Sequence, residues 1–249
     1  MKTLEKETFI CLDCETTGLD KEKDQIIEVA YALFSFSEIK ESYETLIDPE
    51  CEIPAASQAI HNISQCMVKG KPKIKGVLPS LLEVIGNHIV IGHGILFDLA
   101  LIAREAKKLS LPIPKPFFSY IDTLRMARLY GESPINSLEK LRQHFNLPSY
   151  GTHRAMSDVL MNIDVFKKLA APYKSSQDIM KILRKPIRLK TMPLGKHKGR
   201  SFQEIPMEYL QWALRKDFDE DLSYSIRSEV KARKKGNSFQ QASNPFSSL

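Results

Sequence analysis

The chain has little cysteine, no long apolar run and no leader-like start, and each shortage removes a class of protein. Nowhere in its 249 residues does a hydrophobic stretch approach the ~20 residues that cross a bilayer, so no membrane attachment is expected. The start, Met1-Lys-Thr-Leu-Glu-Lys-Glu-Thr8, carries acids where a secretory signal has an apolar core, and the cytoplasm is the expected compartment. Four cysteines give a weak redox signal. Cys11 and Cys14 form a C-x-x-C, which could mean zinc or a redox dithiol. The surrounding run reads as a strand, however, where residues three apart point to opposite faces. No second Cys/His pair lies nearby to complete a tetrahedral site. Free thiols in a reducing compartment are the expectation. No internal repeat is visible.

What is present is an ordinary globular composition, 43% hydrophobic and 27% charged, long enough for one sizeable α/β core and a small appendage. The net charge of +6 is unevenly placed. Residues 1–180 hold 21 Lys and Arg against 23 Asp and Glu, whereas residues 181–249 hold 15 against 7. Lys181 to Arg200 carries eight basic residues and no acid. An acidic first part repels a polyanion and a basic second part attracts one, so nucleic acid is the partner this division suggests.

Apolar patterning predicts strands over Thr8–Cys14, Gln25–Phe36, Glu41–Ile47, His88–Ile91 and Phe117–Ile121. It predicts helices over Pro54–Ile60, Ile74–Gly86, Leu96–Leu109, Thr123–Tyr130 (with Asp122 as N-cap), Ser137–Phe145 and His153–Leu169, and a loop over His61–Pro72. Three opening strands followed by alternating helices and strands fit an α/β mixed sheet with helices on both faces. The expected domains are residues 1–172, a small basic, mainly helical unit at 187–235, and a disordered polar tail at 236–249. A boundary falls near Ala171–Ser176. In the small unit, helices are expected over Pro206–Lys216 and Asp219–Lys235, and Tyr209 and Trp212, three apart, read as part of its core rather than as base-stacking platforms.

The candidate chemistry lies in three segments: Asp13 and Glu15 in Phe9-Ile-Cys-Leu-Asp-Cys-Glu-Thr-Thr-Gly-Leu19, Asp98 in Gly92-His-Gly-Ile-Leu-Phe-Asp98, and His153 with Asp158 in Gly151-Thr-His-Arg-Ala-Met-Ser-Asp158. Two acids at i and i+2 on a strand emerge from one face, ~7 Å apart at Cα. Burying paired like charges is unfavourable without a counter-cation, and a divalent ion resolves that. Taken singly, Asp98 reads as a first-turn acid favoured by the helix dipole, and His153 as a cap or packed residue. Their joint occurrence, each after a glycine-containing turn, is what points to a site.

Together these segments resemble the DEDDh exonucleases, the family of the proofreading epsilon subunit of bacterial DNA polymerase III, ribonuclease T and oligoribonuclease, over roughly residues 7–170. The resemblance implies a ribonuclease H-like fold with a five-stranded mixed sheet flanked by helices. It implies that Asp13, Glu15, Asp98 and Asp158 hold two Mg²⁺ or Mn²⁺ ions, that His153 is the general base, and that 3′→5′ hydrolysis releases nucleoside 5′-monophosphates. Thr16 and Leu19 are expected at the terminal sugar and base, with Leu19 as an apolar wedge. His61, in Ile60-His-Asn-Ile-Ser64, is expected to help hold the terminal nucleotide. Asn62 replaces the family's usual glycine, and Gly94 stands where asparagine is common. The expected substrate is a single-stranded or frayed 3′ end, DNA more than RNA, with a DNA polymerase or a sliding clamp as partner. The clamp rests on a faint match in Gln241-Ala-Ser-Asn-Pro-Phe246. The alternatives are an RNA-trimming exoribonuclease of the same family, a non-catalytic nucleic-acid-binding adaptor and a C-x-x-C redox protein. Residues 192–212 resemble a short domain found beside some nucleases, and that resemblance names no chemistry.

Overall fold

The computed structural model describes residues 3–113, 119–132, 135–151 and 154–242, with side chains described as far as Lys235. The chain divides into two compact units, Met1–Leu183 and Arg184–Leu249. In the first, a mixed sheet of five strands has the order β3-β2-β1-β4-β5. β1 (Phe9–Thr16) sits at its centre, β2 (Ile26–Phe34) runs antiparallel to it, and β3 (Ile39–Leu46) runs antiparallel to β2. β4 (Ile89–Gly92) and β5 (Tyr120–Asp122) continue the sheet in parallel. β1 and β2 are almost wholly buried, as strands covered on both faces must be. β3 is an exposed edge whose charged residues discourage further strand pairing.

The two-residue period of β1 decides what lies on each side. Ile10 and Leu12 point into a core with Leu78 and Leu81 of α3 (Ile74–Ile85) and Leu99 and Ile102 of α4 (Leu96–Lys108). Phe9 and Cys11 face α7 (Ala155–Ala170), where the Phe9 and Phe166 ring centroids are 5.3 Å apart and Cys11 Sγ lies 3.5 Å from the Val159 carbonyl. Phe34, directly across from Phe9, and Phe36 complete an aromatic cluster around Phe166. Opposite Cys11 and Asp13, β2 carries only Ala32 and Ala30, whose small side chains leave room for α7.

Three boundaries differ from the sequence reading. The stretch expected as a loop, His61–Pro72, contains the single-turn helix α2 (Gln65–Val68), too short for a helical period to register. Its Val68 is buried with Ile27, Ile53 and Ile63. Helix α8 (Ser176–Leu183) belongs to the first unit, tied to it by the Ser176 hydroxyl donating to Glu7 at 2.6 Å. The last helix, α10 (Glu220–Ala242), runs on through Gly236 to Ala242, where disorder was expected from Gly236 onward. Residues 243–249 of that tail and Phe117 and Phe118 of the expected fifth strand lie outside the described residues.

The second unit is mainly helical. An isolated pairing of Thr191 with Ser201 encloses a short turn, and α9 (Met207–Ala213) and α10 follow. Met192, Phe202, Ile205, Leu210, Leu222, Ile226 and Val230 form its core. Arg233 ties α10 to the preceding chain by donating to the carbonyls of Ile205 and Phe202 at 2.9 and 2.7 Å. Among the described residues no helix is long and apolar enough to cross a membrane.

Phe166 is fully buried and touches three other phenylalanine rings. Phe166→Ala is expected to destabilise the protein by about 3–5 kcal/mol in urea unfolding, through lost burial and the cavity it leaves. A loss below about 1 kcal/mol would mean that α7 is not anchored by this cluster.

Candidate metal and catalytic site

The face of β1 that carries Phe9 and Cys11 continues to Asp13 and Glu15 at the strand's end. There it meets the first turn of α7, which bears Asp158. Single carboxylate oxygens of Asp13, Glu15 and Asp158 all lie within 4.8 Å of one another. Contacts lower down, the Phe9 ring against Phe166 and the Cys11 thiol donating to the Val159 carbonyl, set the register that brings these acids together.

The fourth acid arrives from the opposite face. Asp98, in the first turn of α4, is buried, and its Oδ1 accepts a hydrogen bond from the Cys14 backbone N–H at 3.1 Å. It is not part of the three-oxygen cluster, yet among the charges acting on Asp13 its repulsion is the largest. Burial and then repulsion from Asp98, Asp158 and Glu15 push the Asp13 carboxyl well above the ordinary carboxylate range. Burial, and then Asp158 and Glu28, push Glu15 to about 7, with Arg154 opposing them. Burial pushes Asp98 up to about 7 against the hydrogen bonds it accepts. Half-buried carboxylates that resist ionising together form a hard oxygen donor set lacking positive charge, which is the chemistry a divalent cation fits.

Two residues that the sequence reading passed over hold this arrangement. Glu28 faces Glu15 across the β1–β2 ladder, an unfavourable juxtaposition of like charges. Arg154, the N-cap of α7, relieves it by donating Nε and Nη2 to the Glu28 carboxylate at 3.1 and 2.6 Å. Glu28 also accepts from the Ala155 backbone N–H at 3.0 Å, which fixes the start of the helix that presents Asp158. The available signal was an acid inside the apolar run Ile26-Ile-Glu-Val-Ala30. Behind the acids a polar network joins strands to helices. His93 pairs with Thr123 Oγ1 and the Asn136 carbonyl, Thr123 donates to Asn162, and Asn162 donates to Cys11 Sγ. The N-cap Asp122 accepts from the N–H groups of Gly94 and Leu124.

The expected substrate residues surround the end of β1. Leu19 is 87% exposed at the tip of a turn braced from within. Asp24 accepts from the Thr17 hydroxyl and the Asp20 N–H, and Arg104 donates to the Lys21 and Asp24 carbonyls. A side chain at Gly18 would place its Cβ 2.5 Å from the Asp24 carboxylate and push that group off the hydrogen bonds that brace the turn. Thr16 is buried, and its hydroxyl donates to the Gly18 carbonyl rather than pointing into open space. His61 is buried at the end of α1 (Ala55–His61), its Nδ1 accepting from the Ile63 N–H. Its Nε2, facing the Thr16 backbone, makes no well-formed hydrogen bond, and burial lowers its proton affinity. Asn62 sits in the left-handed region at φ 58°, which explains why glycine or asparagine serves there. α7 begins at Ala155, and His153, expected within that helix, lies outside the described residues. Cys11 and Cys14 are free thiols, and burial, with the nearby carboxylates, raises both above the ordinary thiol range, which leaves no reactive dithiol.

A mixed sheet whose central strand delivers clustered acids against a helix N-terminus defines a hydrolase of the ribonuclease H-like nuclease class. Residues 10–166 match the RNase T family, described as Exonuclease. The chain belongs to this family, the DEDDh 3′→5′ exonucleases. It is 32% identical over 164 residues to the DNA polymerase III subunit epsilon of Aquifex aeolicus, a match covering 65% of this chain and 80% of that protein. It is 34% identical over 173 residues to the PolC-type DNA polymerase III of Thermotoga petrophila, covering 69% of this chain but 12% of the polymerase. The chain thus spans about an eighth of the length of the PolC-type polymerases it matches. Among solved structures, Exonuclease X in complex with 5′ overhanging duplex DNA superposes with TM-score 0.57 at 23% identity, over 70% of this chain and 98% of that one. E. coli Exonuclease I in complex with a dA16 oligonucleotide superposes with TM-score 0.61 at 16% identity, over 72% of this chain and 43% of that one. These two likenesses establish the fold. Residues 180–222 match a second family, described as "Putative quorum-sensing-regulated virulence factor".

The raised Glu15 carboxyl yields a pH signature. In chelator the folded chain holds this proton up to about 7 while the unfolded chain releases it near 4.5, so the contribution to stability falls as pH rises through that window. Glu15→Gln removes the effect. Its melting temperature is expected to exceed that of the unsubstituted protein increasingly from pH 4.5 to 7 and then level off. Saturating Mg²⁺ or Mn²⁺ is expected to raise the unsubstituted protein more than the variant, which keeps the other acids. A pH-independent difference in chelator would show that burial and neighbouring charge do not hold the Glu15 carboxyl above its ordinary range.

Proposed function

We propose that this protein removes nucleotides one at a time from the 3′ end of a nucleic acid, DNA in preference to RNA, releasing nucleoside 5′-monophosphates. The observation that carries the reading is the convergence of Asp13, Glu15 and Asp158 within 4.8 Å beside the buried Asp98. A non-catalytic binder gains nothing from acids that repel phosphate. The cation-binding set is proposed to be Asp13, Glu15, Asp98 and Asp158, sharing two Mg²⁺ or Mn²⁺ ions. Such ions, when bound, supply charge neutralisation at the phosphate and ease deprotonation of water.

The remaining work falls to the chain's own groups. His153 accepts the proton of the attacking water. Leu19, exposed on its braced turn, packs against the terminal base. His61 and the Thr16 backbone line the terminal nucleotide. The Arg154–Glu28 pair keeps the start of α7 fixed, so that Asp158 is held before substrate arrives.

Preference for DNA, and a DNA polymerase as a partner, are supported by the relatives named as parts of DNA polymerase III and by the DNA held in the similar structures. End-labelled deoxyribose and ribose oligonucleotides digested in parallel, with the released mononucleotide identified, decide between DNA and RNA. Asp13→Ala is expected to give a folded protein with activity reduced more than about a hundredfold, the range that even outer partners of a metal site reach. The native enzyme is expected to be inert in chelator and restored by Mg²⁺ or Mn²⁺. Full activity of a purified Asp13→Ala protein would refute the assignment.

A further inference from the structure

The second unit carries an aromatic surface that its own core does not use. Trp212 of α9, expected in the core, is 48% exposed and stands outside the buried cluster. Of the two rings, Tyr209 is the one that packs partly against that core. The Tyr209 and Trp212 ring centroids are 5.2 Å apart, and His197 meets Tyr209 edge-on at 4.5 Å. His197 is buried with neither ring nitrogen hydrogen-bonded, so its role toward Tyr209 is that of a packing wall. The turn at Gly195 (φ 71°) presses on the same ring, since a Cβ there would stand 2.9 Å from the Tyr209 hydroxyl. Tyr209 is therefore held from several sides, and Trp212 is backed by a fixed ring while its indole remains exposed. Two exposed lysines flank the pair, Lys196 Nζ 5.2 Å above Tyr209 and Lys216 Nζ 5.1 Å above Trp212.

We infer that this strip, Lys196–Tyr209–Trp212–Lys216, is a stacking platform for single-stranded nucleic acid: an unpaired base displaces the Lys216 ammonium from above the Trp212 indole and stacks there, and the two exposed lysines receive the flanking phosphates. A base offers a flat face to the indole at any sequence, and stacking of this kind is worth roughly tenfold or more in affinity per base. Charge complementarity selects the occupant. The unit is strongly basic, and a groove of about 410 Å³ on it sets Arg227, Lys231, Lys234 and Lys235 around Leu214 and Val230. A run of acidic residues would meet these cations but offers no planar ring to Trp212, whereas every nucleotide pairs a phosphate with a flat base. The inference extends the exonuclease reading by giving the second unit a substrate-holding role independent of the catalytic acids.

Trp212 is the single tryptophan of the chain, so its fluorescence reports the contact directly. The full-length protein, in chelator to prevent hydrolysis, is titrated with a short oligothymidylate, with the same sequence as duplex, with polyphosphate and with polyglutamate. Quenching by the single strand well beyond that by duplex or by either base-free polyanion is expected. Trp212→Ala is expected to weaken oligothymidylate binding about tenfold by anisotropy, Trp212→Phe to retain most of it, and Lys216→Gln to lower the salt dependence by about one ion. Equal quenching by polyphosphate, or unchanged affinity in Trp212→Ala, overturns the inference. Hydrolysis of the p-nitrophenyl ester of thymidine monophosphate, measured with Mg²⁺, separates the two readings. It is expected to survive Trp212→Ala and to be lost in Asp13→Ala, and its absence from the unsubstituted protein would count against the nuclease alone.

Discussion

Repulsion among carboxylates held partly out of water is the constraint around which the first unit is arranged. Asp13, Glu15, Asp98 and Asp158 share one small region, and Glu28 adds a fifth negative charge across the ladder from Glu15. Left alone, such a group would spread apart or stay protonated. It holds protons more tightly than ordinary carboxylates but does not spread apart, because each acid is carried by an element fixed elsewhere: β1 by the sheet, α4 by the aliphatic core, α7 by the Phe166 cluster and the Arg154–Glu28 pair. Stability invested in apolar packing thus holds an electrostatically unfavourable arrangement ready for cations. Sites that perform chemistry often carry such local strain, sustained by the surrounding structure.

The second unit is built on different physics. Its core is small, its polar ties run through Arg233 and the buried Glu229, and its surface is cationic with one exposed indole. Where the first unit concentrates negative charge and requires cations, the second concentrates positive charge and suits a polyanion. On the proposed function, nucleic acid would bring phosphates to the basic unit and, with divalent ions, to the acidic one.

Much of this was legible along the chain. The alternation of β1 placed Asp13 and Glu15 on one face without reference to any fold, and Asp122 announced itself as an N-cap by its position before Thr123. The strands and longer helices followed from apolar period, most boundaries being displaced by one to three residues. What escaped were features with no local pattern. Single-turn α2 is too short for a period to register, and α10 continues through a polar segment whose composition argued for disorder. Trp212 shares the helical spacing of Tyr209 yet lies outside the core, because spacing shows that two side chains are neighbours but not which faces inward. The role of Glu28 could not be read either, since its partner Arg154 is remote in sequence and meets it only when α7 packs on β2.

The sequence by itself determined the inventory: acids in motifs specific to one exonuclease family, an acidic part followed by a basic one, and a strand whose period commits two carboxylates to one side. Tertiary structure decided their relations. Asp98 approaches from the face opposite Asp13 and reaches the site through the Cys14 backbone, and Asp158 arrives only because two alanines on β2 let α7 sit close. The physical reason is that periodicity is a property of one element, whereas the distance between charges on different elements is set by how their apolar faces pack.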